Sequence, residues 1–151
     1  MHYFDDLAVG TRFDGGPLTV SAEEIVGFAG RYDPQPFHLD AEAAKSSLFG
    51  GLAASGWHTA SMTMRMIVDS QTLAGGFVGV GVDSIAWPLP TRPGDRLRVE
   101  GEVLEARLSA KRPDRGIVRM RITTRNQDGE AVQTMIANLL VPTRAGADGP
   151  R

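Results

Sequence analysis

The sequence has no cysteine among its 151 residues. Disulfides, thiolate nucleophiles, iron–sulfur clusters and cysteine-ligated zinc are excluded together, and the composition fits a reducing compartment. Long apolar runs are missing too. No stretch approaches the roughly 20 residues that a bilayer-spanning helix needs, and Met1-His2-Tyr3-Phe4-Asp5-Asp6 is neither a basic nor an apolar leader. A cytoplasmic protein with no membrane contact is expected. Charge of one sign is scarce: 16 basic residues face 18 acidic ones, a formal net charge of −2. A sequence-independent grip on nucleic acid is therefore not expected. The three histidines fall in no H-E-x-x-H or H-x-x-E-H spacing, so no catalytic metal is expected. Gly79-Val80-Gly81 lacks the third glycine and the following helix of a dinucleotide fingerprint. No G-x-S-x-G elbow occurs either.

What is present is one domain's length of ordinary globular composition, 42% hydrophobic and 23% charged. Folding at this size buries roughly two-thirds of the chain's surface, enough for one core. Gly15-Gly16-Pro17 reads as a turn before a short strand, Leu18-Thr19-Val20. Ser21 and Glu24 make a capping-box pattern for a short helix ending near Gly30. Residues 31–38 carry two prolines and read as a stiff irregular loop, after which Asp40 can cap a helix through Ser47. From Ser55 to Leu73 the chain holds no proline and is apolar on most sides, with Ala60, Met64, Ile67 and Val68 on one face. That predicts a buried central helix with Ser55 as its cap. Past Gly75-Gly76 the pattern becomes strand: 77–87, then Leu97 to Glu105, Ile117–Arg125 and Ala131–Val141. Turns at Arg92-Pro93-Gly94-Asp95, residues 112–116 and Asn126-Gln127-Asp128-Gly129 separate them. The expected fold is one α+β domain over residues 1–142, a helix wrapped by a four-strand antiparallel meander, with 143–151 a disordered tail. Open sheet edges give such a domain reason to form a homodimer or higher homo-oligomer.

Two segments carry candidate chemistry. Asp33-Pro34-Gln35-Pro36-Phe37-His38 sets a carboxylate and an imidazole on a backbone braced by prolines. General acid–base catalysis needs two such groups fixed about one shared water or substrate proton. The plainer reading is that Asp33 bonds its own turn and His38 is a surface histidine. Ser55-Gly56-Trp57 opens the central helix, where free amides and the helix dipole favour negative charge. Gly56 would let a developing oxyanion approach; the plainer reading is tight packing against the sheet. Phe37 and Trp57 flank these segments as candidate pocket walls. Arg92, Lys111, Arg112 and Arg115 lie in loops as candidate contacts for an anionic group.

The order D-x-x-P-x-H, followed by a glycine opening a buried helix, resembles the MaoC-like dehydratases and (R)-specific enoyl-CoA hydratases. The resemblance runs from Phe4 to about Val141 and takes in Trp87-Pro88, Arg92-Pro93-Gly94-Asp95, Ser109 with Arg112-Pro113, and Asn126-Gln127-Asp128-Gly129. It implies a hotdog fold, usually dimeric. It also implies a hydro-lyase that needs no cofactor beyond the coenzyme A or carrier-protein handle of its acyl thioester. By that resemblance Asp33 and His38 are the catalytic pair holding one water, and Gly56 N–H binds the thioester oxygen. Phe37, Ser55, Trp57, Arg92 and Arg112 are the expected substrate contacts. Two positions depart from the family. Gln35 stands where asparagine is common, and Met64 stands where the family's helix carries a hydroxyl that steadies the pair. Two alternatives stay open. A thioesterase of this fold would carry a carboxylate on the central helix, and residues 56–68 contain none. An acyl-binding accessory subunit would tolerate the change at Met64.

Overall fold

Period-two alternation builds the sheet. The computed structural model describes residues 1–147. In it β3 (Arg96–Leu108), β4 (Arg115–Arg125) and β5 (Ala131–Pro142) pair antiparallel as successive neighbours. Leu97, Val99, Val118, Met120, Ile122 and Val141 turn inward along them and are buried. The opposite face is polar, with Arg121 paired to Glu102 and Arg125 to Glu100. Exposed pairs like these add little stability but keep that face in water.

β1 (Arg12–Thr19) joins the free side of β3, and β2 (Val78–Ala86) joins the free side of β5, in the order β1-β3-β4-β5-β2. The expected four-strand meander is thus corrected to three strands, with β2 at the far edge. The cause lies between β1 and β2. Helix α4 (Gly56–Asp69), about 20 Å long at 1.5 Å per residue, carries the chain across the sheet so that it re-enters at the other edge. Gly15-Gly16-Pro17 is a bulge inside β1 rather than a turn ahead of it. A Cβ on Gly15 would sit 2.8 Å from the Met66 carbonyl, so only glycine lets β1 lie this close to α4.

Before α4 come α1 (Ala22–Tyr32), α2 (Pro36–Leu39) and α3 (Ala41–Lys45). Ser21 accepts the Glu24 N–H at 3.1 Å and starts α1, which runs past Gly30 because Asp33 N–H still closes on Ala29 O at 2.9 Å. α2 is one helical turn where irregular loop was expected. Pro36 occupies its first position, where the missing N–H has no intrahelical role and the fixed φ suits the helix. Asp40 caps α3 as expected, accepting the Glu42 and Ala43 N–H groups.

α4 stops short of Leu73, and its inner face is not the expected one. Thr59, Met62, Thr63, Met66 and Ile67 face the sheet, whereas Met64 is 43% and Val68 54% exposed. The threonines go inside because they find partners there: Thr63 Oγ1 lies 2.6 Å from Thr124 Oγ1, and Thr59 Oγ1 donates to Thr91 Oγ1 at 3.0 Å. At the chain's end, Thr143 is buried and α5 (Arg144–Ala147) follows, with Arg144 paired to Asp6 at 2.8 Å. Residues 143–147, expected in a disordered tail, are thus a docked turn; 148–151 lie outside the described residues. Among the described residues, no helix is long and apolar enough to cross a membrane.

The Gly15 contact gives a test of this packing. Gly15→Ala should lower unfolding free energy by about 1–3 kcal/mol, the usual cost of overpacking, read as a lower urea midpoint. An unchanged midpoint would mean that β1 and α4 do not depend on their close approach.

Candidate active site

The segment between α1 and α2 and the head of α4 meet. Asp33 N–H ends α1, and Gln35 N–H bonds Asp33 O at 2.7 Å, which folds the two-proline stretch back on itself. His38, within α2, is 4% exposed, and its Nδ1 lies 2.6 Å from Ala53 O. A carbonyl only accepts, so Nδ1 donates and Nε2 is the nitrogen turned toward Asp33. That Nε2 lies 3.4 Å from Asp33 Oδ2. With the ring neutral, a single water that donates one hydrogen to each of the two atoms and keeps its lone pairs free suits this geometry.

The Asp33 carboxyl is held below its usual range. Burial pushes it up, but the Ser55 hydroxyl, the Gln35 amide and His38 together outweigh that push. Gln35 Nε2 donates to Asp33 Oδ1 at 2.6 Å, so the departure at Gln35 keeps a supporting hydrogen bond. Ser55 sits at the N-cap position of α4, yet its hydroxyl caps no amide. The oxygen is fully buried and closes no hydrogen bond of ordinary length, yet it helps hold the Asp33 carboxyl down. Hydroxyl support therefore comes from the head of α4 rather than from the position of Met64, which is on the helix's outer side.

His38, Gly56 and Arg92 line one cleft of about 610 Å³, together with Leu48, Phe49, Trp87, Pro88 and Leu89. Among the described residues no acceptor meets the Gly56 N–H, as befits the first helical position. The Arg92 backbone N–H donates to Asp95 Oδ2 at 2.8 Å, but its side chain has no carboxylate partner among those residues. Its guanidinium instead donates to the carbonyls of Phe49, Gly51 and Leu52, clipping the loop that leads into α4.

Other candidates stand elsewhere. Phe37 is wedged between His38 and Phe49, with ring centroids at 4.6 and 5.1 Å, and supports the imidazole from behind. Trp57 is 59% exposed and meets Trp87 edge to face at 5.2 Å beside the cleft. Arg112 is not brought to the cleft by its own chain. It pairs with Asp114 at 3.6 Å in the β3–β4 loop, where neighbouring Arg115 pairs with Pro142. Trp87 bonds Gln133 near the opposite end of β5, a span of roughly 30 Å at 3.3 Å per residue. Lys111 and Arg115 share that loop.

Sequence reasoning missed Trp87, Phe49 and Gln133. Trp87 closing a strand just before Pro88 was the available signal; a buried glutamine in an apolar strand gives none. His58, stacked on Phe28 at 4.8 Å, lines a separate cleft with Glu24 and Asp69, and burial pushes its pKa down against the opposing charge of Glu24. No group of three or more histidine or acidic side chains gathers to hold a metal ion among the described residues.

The sequence profile described as MaoC like domain matches residues 6–126. A MaoC-like dehydratase from Rhodospirillum rubrum is 54% identical and superposes with a TM-score of 0.91, covering 95% of this chain and 99% of that one. The (R)-hydratase of A. caviae involved in PHA biosynthesis is 26% identical, TM-score 0.73, over 90% of this chain and 98% of its own. The uncharacterized protein YdeM of Bacillus subtilis is 31% identical over 124 residues, 82% of this chain and 86% of YdeM. The α+β architecture of these solved structures, a hotdog, is the one found here.

The depressed Asp33 pKa has a definite sign. Its stabilising contribution is complete above the unfolded carboxyl's pKa and disappears as pH falls through the folded one. Ser55→Ala removes one group that holds the carboxyl down. The Asp33 midpoint, read from side-chain carboxyl ¹³C shifts, should rise, and acid unfolding should begin at higher pH. A midpoint that stays put would show that Ser55 does not act on Asp33.

Proposed function

Because the chain belongs to the MaoC-like domain family, we propose that it hydrates a trans-2-enoyl thioester to the 3-hydroxyacyl thioester, or runs the reverse dehydration. The observation that carries this reading is the approach of His38 Nε2 to Asp33 Oδ2, 3.4 Å apart at the amino end of α4. The thioester carbonyl accepts the Gly56 N–H. The water held by Asp33 and His38 adds its oxygen to C3, and one of the pair takes the proton that this oxygen gives up. The C2=C3 electrons move toward the thioester oxygen, where the Gly56 amide and the helix dipole stabilise the enolate. A proton delivered to C2 completes the addition, so one water's atoms are conserved. Elimination is the same path reversed. The groups needed are all side chains or backbone, so the reading calls for no cofactor. The coenzyme A or acyl-carrier portion serves as handle, and Arg92, uncompensated by a carboxylate, offers it positive charge.

The protein is read as a homodimer joined at β2. One side of that strand pairs with β5 and the other is a free edge, with Val78, Val80 and Val82 exposed. A long apolar edge is a site for further strand pairing.

Absorbance-monitored hydration of straight-chain enoyl-CoAs tests the chemistry. Wild type should turn over, and Asp33→Asn and His38→Ala should each lose about 10²–10⁴-fold, the usual worth of a positioned acid or base. Free coenzyme A is followed alongside. Its release, dependent on Asp33, would make the protein a thioesterase; an inert wild type across the panel would make it an accessory subunit. For the assembly, Val82→Lys should convert the dimer to monomer by light scattering. A dimer that persists would move the interface elsewhere.

A further inference from the structure

We propose that Trp87 determines specificity at the C2 position of the acyl group and that Gln133 is its positioning residue; this rests on the hydratase reading above. A Cβ built on Gly56 would come within 2.6 Å of both Cδ2 and Cε2 of Trp87 and 2.9 Å of Cε3. These atoms lie at the fused bond, so the indole face lies flat over the glycine. Gly56 is therefore glycine because Trp87 occupies the side-chain space. An oxyanion bound by the Gly56 N–H at about 3 Å sets the thioester carbon and C2 beside that same residue. The indole is then the apolar wall nearest to C2, while the far end of an acyl chain is several bonds away from it.

The wall is tied down at its one polar atom. Trp87 Nε1–H donates to Gln133 Oε1 at 2.9 Å, and Gln133 Nε2 donates to Thr63 Oγ1 at 3.2 Å. Gln133 has no exposure at all, and a buried amide is costly unless both its ends are bonded. Thr63 belongs to α4, two turns beyond Gly56, and itself donates to Thr59 O at 2.9 Å. The route thus closes on itself: helix, glutamine, indole, and back over the first residue of the same helix. Thr59 bonded to Thr91 ties the segment after Pro88 to α4 as well. The distance from the wall to the Gly56 amide is set by this loop rather than by the exposed side of Trp87.

The test compares crotonyl-CoA, its 2-methyl counterpart tiglyl-CoA, and trans-2-octenoyl-CoA as substrates of wild type, Trp87→Phe, Trp87→Ala and Gln133→Leu. Wild type should prefer crotonyl-CoA, and one methyl group against a fixed wall is worth roughly 10–200-fold. Trp87→Ala should erase most of that preference, read as a fall in the crotonyl-to-tiglyl ratio of kcat/KM. Trp87→Phe and Gln133→Leu each remove the tether but keep the bulk. Each should relax the preference partly, and the double variant should go no further than either alone, since both break one bond.

Fluorotryptophan ¹⁹F spectra supply a readout free of turnover. The sequence holds two tryptophans, so Trp57→Phe assigns the resonances. Adding 3-hydroxybutyryl-CoA should shift the Trp87 signal, and Gln133→Leu should broaden it. If wild type is inert on every substrate, the hydratase reading fails, and a ¹⁹F shift on ligand addition still upholds the wall. If wild type turns over but its crotonyl-to-tiglyl ratio is unchanged in Trp87→Ala, or only the octenoyl rate responds, the proposal is overturned. Additive effects in the double variant would overturn the role of Gln133.

Discussion

The hydrogen bond from His38 Nδ1 to the Ala53 carbonyl, 2.6 Å long, holds the candidate site together. It sets the proton on Nδ1 and aims the other nitrogen at Asp33. It also ties α2 to the extended stretch ahead of α4, along with Ala53 N–H on Phe37 O at 3.2 Å. Without that tie, the proline-braced segment and the helix would be joined mainly through packing. The imidazole is almost wholly buried, so a lost partner would leave a polar nitrogen unsatisfied at a cost of about 1–3 kcal/mol. Stability and ring orientation are thus set by one contact.

What could be read from the sequence follows from what local rules control. Proline restricts its own residue and the one before it, so Asp33 and Gln35 were legible as non-helical and are. Ser21 and Asp40 were legible as caps because capping is a matter of three or four residues. The pairing of Asp33 with His38 was legible as spacing plus resemblance. The inward face of α4 was not, because Thr59 and Thr63 count as polar by themselves and become core residues only when Thr91 and Thr124 arrive from elsewhere. Strand order was hidden for a similar reason: alternation marks a strand but not its neighbour, and β2 bypasses β3 to reach β5. Arg112 looked like a phosphate contact because loops with basic residues look alike, whatever end of the sheet they occupy.

Met64, where the resemblance implies a supporting hydroxyl, does not face the candidate pair. A hydroxyl on the buried side of α4 would have to come from residues turned toward Asp33, and Met64 is turned to solvent. Ser55, at the head of the same helix, faces the carboxylate instead. A hydroxyl is a donor that can rotate to suit its partner. Its exact origin matters less than its reach, and the Gln35 amide at 2.6 Å adds a second donor from the loop side. Ser55 and Gln35 thus favour the ionised carboxylate from two directions, with His38 adding to them.

That arrangement explains why α4 begins without a cap. A serine at this position ordinarily turns its oxygen to an amide of the first turn, worth about 1 kcal/mol to the helix. Here the hydroxyl caps no amide, no acidic residue stands in the first turn, and the Gly56 N–H is left without an acceptor among the described residues. The helix forgoes local stability and keeps an open positive end facing a cleft. An ionised Asp33 and an enolate oxygen are both negative, and at the carboxyl end of a helix each would be disfavoured by the dipole. Only the amino end tolerates both. The glycine that begins it, closed over by Trp87, keeps a free backbone amide at the cleft, where the proposed reaction needs a donor.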